Sequence, residues 1–172
     1  MEKGLSRLGE SNITKAQDLT YDGWEAMGMD LQEAKKLFKE ALKLNPNLAD
    51  AYNGLAAIAE EKGNLRSSEL YYRKAYEKAK LALATEAVKA FSWWSELDTR
   101  PYMRARHGLG LVLLAIGRFD EAVSEFKELL KRNPNDNQGI RYLVAPAYLM
   151  GGKIEESLFA EISDEDIDNL FR

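Results

Sequence analysis

Residues 103–136 read MRARHGLGLVLLAIGRFDEAVSEFKELLKRNPND, and this stretch decides the fold. Leu109-Gly110 come early, and Gly117-Arg118-Phe119-Asp120 carry stop and start signals for two helices. Ala122 and Phe126 follow, then Lys131-Arg132 and the closing Pro134. Bases near a helix C-terminus suit its dipole, and a proline just beyond cannot continue the helix. The reading is a helix near 103–116, a tight turn, and a second helix near 119–132. Gly110 and Ala122 are small enough for the pair to approach closely, and Phe126 fills the space between pairs.

The same spacing recurs on both sides. Gly117 and Gly151 are 34 residues apart, Gly63 and Gly117 are 54 apart, and Pro46 and Pro134 are 88 apart. One period of 34 with a single 20-residue insertion accounts for all three intervals. Leu-Gly, Ala-x₃-Phe and the closing Pro resemble the tetratricopeptide repeat, a helix–turn–helix unit of 34 residues. That resemblance implies an all-α, right-handed helical solenoid of three to four helix pairs with one ~20-residue helical insertion. The units fall at about 14–48, 49–80, 103–136 and 137–160, with the insertion at 81–102 and an acidic segment at 161–172, in one domain spanning 1–172. The first unit keeps Ala34, Phe38, Ala41 and Pro46, with Gly28 one residue early. The second has Ala56, Gly63, Tyr72 and Ala75, and departs at Ser68, where the family usually has Ala. The fourth opens with Ile140, Leu143 and Gly151 and then loses the pattern. Helices are expected near 14–28, 30–44, 48–62, 65–80 or beyond, 103–116, 119–132 and 137–150. Asp30 with Glu33 and Thr14 with Gln17 read as capping boxes.

Composition bounds the function. An apolar content of 45% with 30% charged residues is that of a globular chain. Cysteine is absent, so disulfides and cysteine–zinc sites are excluded and a reducing, cytoplasmic location is expected. Met1–Glu10 lacks the apolar core of a signal peptide, and no run approaches the roughly 20 apolar residues that span a membrane. The net charge of −4 is uneven: from Glu155 onward seven acids face one base, and the remaining 154 residues carry +2. A near-neutral body with an acidic end lacks the basic stripe of a nucleic-acid binder. His107 is the one histidine, no Walker A or Gly-x-Gly-x-x-Gly string occurs, and no serine sits in a nucleophile elbow. No metal, cofactor or catalysis is expected; the partner is a protein or peptide, or a second copy of the chain.

The insertion, LALATEAVKAFSWWSELDTRPY over 81–102, either lengthens the helix that begins near Leu65 or forms an extra helix on the solenoid edge. Trp93 and Trp94 read as core packing, against an alternative as partner anchors. Thr99–Arg106 and Asn133–Tyr142 are similar to strings in a group of bacterial tetratricopeptide proteins and in the repeat region of the suppressor-of-tumorigenicity-seven family. That likeness covers about 91–149 and implies a scaffold role. Arg104, Arg106 and Arg141 read as polar ties between helices, and Asp136 or Asn137 as a cap.

In the resembling family the first helix of each unit lines a concave groove. Carried onto this chain, the groove takes Asp50, Asn53, Ala57 and Glu60 from the second unit. The third unit gives Arg104, His107, Gly108, Leu111 and Leu114, and the fourth Gln138, Arg141, Tyr142, Ala145 and Tyr148. The family's chaperone clamp needs basic and amide side chains at set places. Asn53 comes one place early and Gly108 stands where an Arg belongs, so no such clamp is expected. Arg104 and Arg141 beside Leu111, Leu114, Tyr142 and Tyr148 suit a peptide with apolar anchors and an acidic group. Pro146 lies inside the fourth unit's first helix and leaves the Tyr142 carbonyl without its donor.

The segment Ser163–Arg172 places a capping serine before three acids, with Ile162, Ile167, Leu170 and Phe171 on one stripe. So short a helix does not hold alone in water, so it is expected to cover the solenoid end or enter a groove. Deleting 163–172 then lowers the melting temperature in the first case and raises peptide affinity in the second. A truncated protein equal to the full chain in melting temperature, oligomeric state and ligand binding marks the segment as a solvated acidic end.

Overall fold

The computed structural model describes residues 2–85, 93–153 and Glu156. The regular elements of the described residues are all helical. Helices α1 (Glu2–Ala26) and α2 (Leu31–Leu44), α3 (Ala49–Glu61) and α4 (Leu65–Thr85), and α5 (Arg100–Ala115) and α6 (Phe119–Arg132) form three pairs, followed by α7 (Arg141–Met150). Each packs on the helix that precedes it, and α3 also packs between α1 and α5, so the first helices of the pairs lie side by side. This is the solenoid that the repeat implies.

Local chemistry explains the ends. Asp30 caps α2, its Oδ1 accepting from the backbone N–H of Gln32 at 2.8 Å and of Glu33 at 3.2 Å. The reciprocal half of a capping box is missing: the Asp30 amide donates to Ala26 O at 2.8 Å, and Glu33 pairs with Lys36 at 3.2 Å. Asn64 Oδ1 accepts from Ser67 N at the start of α4. Asp136 caps α7, accepting from Ile140 N at 2.7 Å and Arg141 N at 2.9 Å. Thr14 is not a cap: α1 begins at Glu2, twelve residues upstream, and Thr14 sits inside it.

The aromatic residue of each second helix lies against glycine. A Cβ on Gly23 or Gly54 would fall within 3.0 Å of the Phe38 ring, one on Gly108 would meet Tyr72, and one on Gly110 would meet Phe126. Phe38 and Phe126 are fully buried. Ala34, Phe38 and Ala41 form one core with Ala51, Leu55 and Ile58, and Tyr72, Leu109, Val112, Leu113, Ala122 and Phe126 belong to a second. Tyr71 packs against both, which makes the stack continuous. Ser68 is wholly buried where the family has Ala, and its hydroxyl has no partner among the described residues.

The turns show a change of register. Gly63 and Gly117 adopt left-handed φ of 69° and 79°. The amides that follow close the turn onto the previous helix, Asn64 N to Ala59 O and Arg118 N to Leu113 O, each at 2.8 Å. After α7 the left-handed residue is Gly152 (φ 75°), with Lys153 N donating to Tyr148 O at 2.9 Å. The structural counterpart of Gly117 is therefore Gly152, one residue beyond the Gly151 that a strict period of 34 selects. The extra residue belongs to the loop before α7, where Asp136 takes φ 50° and Gly139 φ 69°. Residues 137–140 are taken up by this turn, with Gly139 N donating to Asp136 O at 3.0 Å, so α7 begins at Arg141 and not near 137.

Within the insertion, α4 runs on to Thr85, and a 3-10 turn (Leu97–Thr99) leads into α5 with Pro101 in its first turn. Any further helix in the insertion falls at 86–92, outside the described residues. Trp93 and Trp94 pack against the second core. Trp93 meets Tyr102 at 5.1 Å between ring centres, and Arg132 stands 4.8 Å above its ring. These tryptophans therefore do core work. The second helix expected of the fourth unit and the acidic segment 161–172 also lie outside the described residues.

The packing predicts that Gly110→Leu and Ala122→Trp each destabilise the fold by about 1–3 kcal/mol, because overpacking forces the paired helices apart. Gly28→Ala has nothing within 4 Å of the added Cβ and serves as the control. Urea denaturation of the three variants reads the difference.

Candidate functional site

The first helices α1, α3, α5 and α7 carry the candidate groove; α1, α3 and α5 pack side by side, and α7 follows by packing on α6. One buried carboxylate stitches three of these helices. Asp50 of α3 accepts from Trp24 Nε1 of α1 at 3.1 Å and from Asn53 Nδ2 at 3.1 Å, and it pairs with the Arg104 guanidinium of α5. Arg104 also stacks on the Trp24 ring, 5.0 Å from its centre. Asn53 has no exposed surface, and its amide nitrogen donates to Pro101 O at 2.9 Å. Asn53 and Arg104 thus tie α1, α3 and α5 together, and Asn53 offers no amide to the groove.

The other expected groove residues are spread along the face. His107 is half-buried, and burial pushes its imidazole below the usual range against the opposing pull of Asp136, so it is neutral at pH 7. Leu111 and Leu114 are partly buried against the core and keep part of their surface open. Gln138 is half-buried in the loop before α7. Arg141 turns back to donate from Nη2 to Pro134 O at 2.8 Å. Tyr148 packs against the core with Lys127 5.2 Å over its ring.

The one-residue shift decides which side chains of α7 face outward. Tyr142 is 78% exposed, and Leu149 and Met150 are also exposed large apolar residues. Pro146 is exposed one turn beyond Tyr142, while Val144 and Ala147 point into the core. Counted from the left-handed glycines, Tyr142, Pro146 and Leu149 stand level with His107, Leu111 and Leu114. Of the expected α7 residues, Tyr142 keeps its place on the open face. Pro146 and Leu149 take positions that a strict period gives to Ala145 and Tyr148. Spacing alone had no signal for this, because the extra residue hides in a loop whose composition is ordinary.

At the other end, Met27, Ala57, Glu60 and Glu61 line a cavity of about 370 Å³ between the turn after α1 and the last turns of α3. Glu60 is half-buried, and its Oε2 accepts from the Tyr72 hydroxyl at 3.1 Å. Burial, chiefly, pushes the Glu60 carboxyl above its ordinary value. Burial and the Glu60 charge push the Tyr72 phenol up as well, so Tyr72 remains a donor. Met27 and Glu61 escape the groove positions that the repeat assigns, since Met27 lies in the turn after α1.

On the flank, Arg106 joins α5 to α4 and α6. It pairs with Glu125 at 2.6 Å, donates to Tyr76 Oη at 3.1 Å, and stands over the Tyr76 and Tyr102 rings. The Glu125 carboxyl nevertheless lies above its ordinary value, because the cost of burial exceeds what Arg106 returns. Among the described residues, no group of three His, Asp or Glu side chains is arranged to hold a metal. No helix among them is long and apolar enough to cross a membrane.

Two family models described as tetratricopeptide repeat match the chain, one over residues 30–82 and one over 104–136. Among curated proteins, DnaJ homolog subfamily C member 3 from Gallus gallus is 33% identical over 122 residues, covering 70% of this chain. The protein of the same name from Homo sapiens is 30% identical over the same length. The chain spans 23% of the length of these relatives. Among solved structures, one of MamA superimposes with a TM-score of 0.65 at 17% identity, covering 96% of this chain and 84% of that one. A second, of MamA protein, gives 0.63 at 19% identity, covering 88% and 70%. At these identities the likeness speaks to the fold.

The environment of Glu60 sets a sign for pH. Its carboxylate is penalised in the folded state alone. The penalty is absent at low pH, where both states are protonated, and it is complete above the raised folded value. Glu60→Gln keeps an acceptor for Tyr72 and is expected to raise the melting temperature at pH 7, with the gain vanishing below about pH 4. Calorimetric scans across that range check it.

Proposed function

The chain belongs to the tetratricopeptide-repeat family, a fold of protein-interaction scaffolds, and from this premise we propose that it is a non-catalytic module that takes a segment of a partner protein along the groove. The observation that carries the reading is the open face itself. Leu111, Leu114, Tyr142, Pro146 and Leu149 leave apolar surface exposed beside His107, and the cavity at Met27, Ala57, Glu60 and Glu61 continues that face. An apolar stripe on a rigid helical support suits an extended or helical peptide, whose anchors fill the stripe while its backbone stays solvated. The helices beneath are tied by Asp50, Asn53 and Arg104, so the surface is formed before a partner arrives and little ordering cost falls on binding.

A second reading has its own observation. Tyr142, Leu149 and Met150 lie together on α7, the last helix described, and suit self-association through that helix. The chain spans 23% of the length of the DnaJ homologues, so their wider biology stays with them.

A photo-reactive residue at Leu111 or Leu114 is expected to cross-link a partner in the source cell. The same residue at the exposed Lys39 on α2 is not. Leu111→Glu, with its melting temperature kept, abolishes the capture. A cross-link of the chain to itself from Leu149, with a dimeric mass in light scattering, supports self-association instead.

A further inference from the structure

In the bare sequence, Arg104 and Arg141 make the groove a place for an acidic partner group. The structure engages both. The Arg104 guanidinium is held by Asp50 and by the face of Trp24, and Arg141 donates to Pro134 O. His107, the remaining basic side chain of that face, is neutral at pH 7. The Arg104 charge is therefore paired within the fold, while Arg141, bonded to a carbonyl and to no carboxylate among the described residues, keeps its charge on α7, at the far end of the face from Glu60 and Glu61.

The two acids at the other end of the face have no such partner. Neither Glu60 nor Glu61 joins an ion pair among the described residues. Lys62, their neighbour in the chain, is exposed and joins none either. Glu60 is fixed in place, because its Oε2 accepts from the hydroxyl of Tyr72, whose ring is wedged against Gly108. A carboxylate on a rigid support, facing a cavity of about 370 Å³ with Met27 and Ala57 as apolar walls, matches an alkyl stem that ends in a cation. Lysine and arginine have that shape: the methylene stem packs on the apolar wall and the charged head meets the carboxylates.

Resting on the groove reading above, we infer that the partner segment presents a lysine or arginine to the cavity at Met27, Ala57, Glu60 and Glu61, with apolar residues running from there toward Leu111, Leu114, Tyr142 and Leu149. The groove is polar along its length. Its acidic end lies between α1 and α3, and its apolar end lies at α5 and α7. This fixes the direction in which a bound segment runs as well as its composition.

The test uses a phage-displayed library of random 12-residue peptides, selected on the full chain, on Glu60→Gln/Glu61→Gln and on Leu111→Glu, each with its melting temperature measured first. The expected peptides from the full chain carry Lys or Arg on one side of an apolar pair. Their affinity falls roughly 10-fold on Glu60→Gln/Glu61→Gln, the loss expected for a charge-assisted hydrogen bond. Selection on that double variant loses the preference for a base but still returns apolar peptides. Peptides from the full chain that are rich in Asp or Glu, or that show no charge preference, overturn this inference and leave groove binding intact. A library that yields no peptide sensitive to Leu111→Glu overturns the groove reading, and this one with it.

Discussion

The closest constraint in this molecule is the seating of an aromatic ring on a glycine. Phe38 lies on Gly23 and Gly54, Tyr72 on Gly108, and Phe126 on Gly110, each within a distance that no Cβ tolerates. Dispersion falls steeply with separation, so a ring flush against backbone gains contacts that a bulkier residue would deny it. Phe38 touches the first helix of its own pair and that of the next pair, so one side chain joins two units. Tyr72 does the same for the pair across the insertion, and the units stack as one body even with about 20 extra residues between them. A single helix pair leaves an apolar face open, and stacking is what closes it.

Once the stack is fixed, its polar ties follow. Asp50 sits where three first helices converge, and it gathers Trp24, Asn53 and Arg104 around one carboxylate. Arg106 plays a like part between α4, α5 and α6. Removing one member of such a group leaves another buried without a partner, which costs more than the group contributes intact. These ties have a second effect. They bury Asn53 and hold the guanidinium of Arg104, whose side chain stays 44% exposed, against Asp50.

The repeat made most of the fold legible. The helix expected at 119–132 is α6 to the residue, the one at 30–44 differs from α2 by one residue at its start, and the one at 48–62 differs from α3 by one residue at each end. Their signals are local: Asp30 for the cap, Gly63 and Gly117 for the left-handed turns, and the spacing of Ala34, Phe38 and Ala41. The start of α1 was not legible, because a Thr–Gln spacing in mid-helix looks like one at a helix start. Nor was the register of α7, which depends on how Asp136 and Gly139 turn and not on the apolar spacing that follows.

By itself the sequence determined that the chain is a stack of helix pairs with a period near 34, because period and turn chemistry are properties of neighbouring residues. It also marked the first helix of each pair as the candidate binding face. Only the tertiary structure decided what that face displays. Whether Arg104 is a binding residue or a tie depends on Asp50, 54 positions away, and whether Glu60 is exposed or held depends on Tyr72 of the next helix. Charge and burial are set by what lies across the contact, and partners distant in the chain carry no periodic signal.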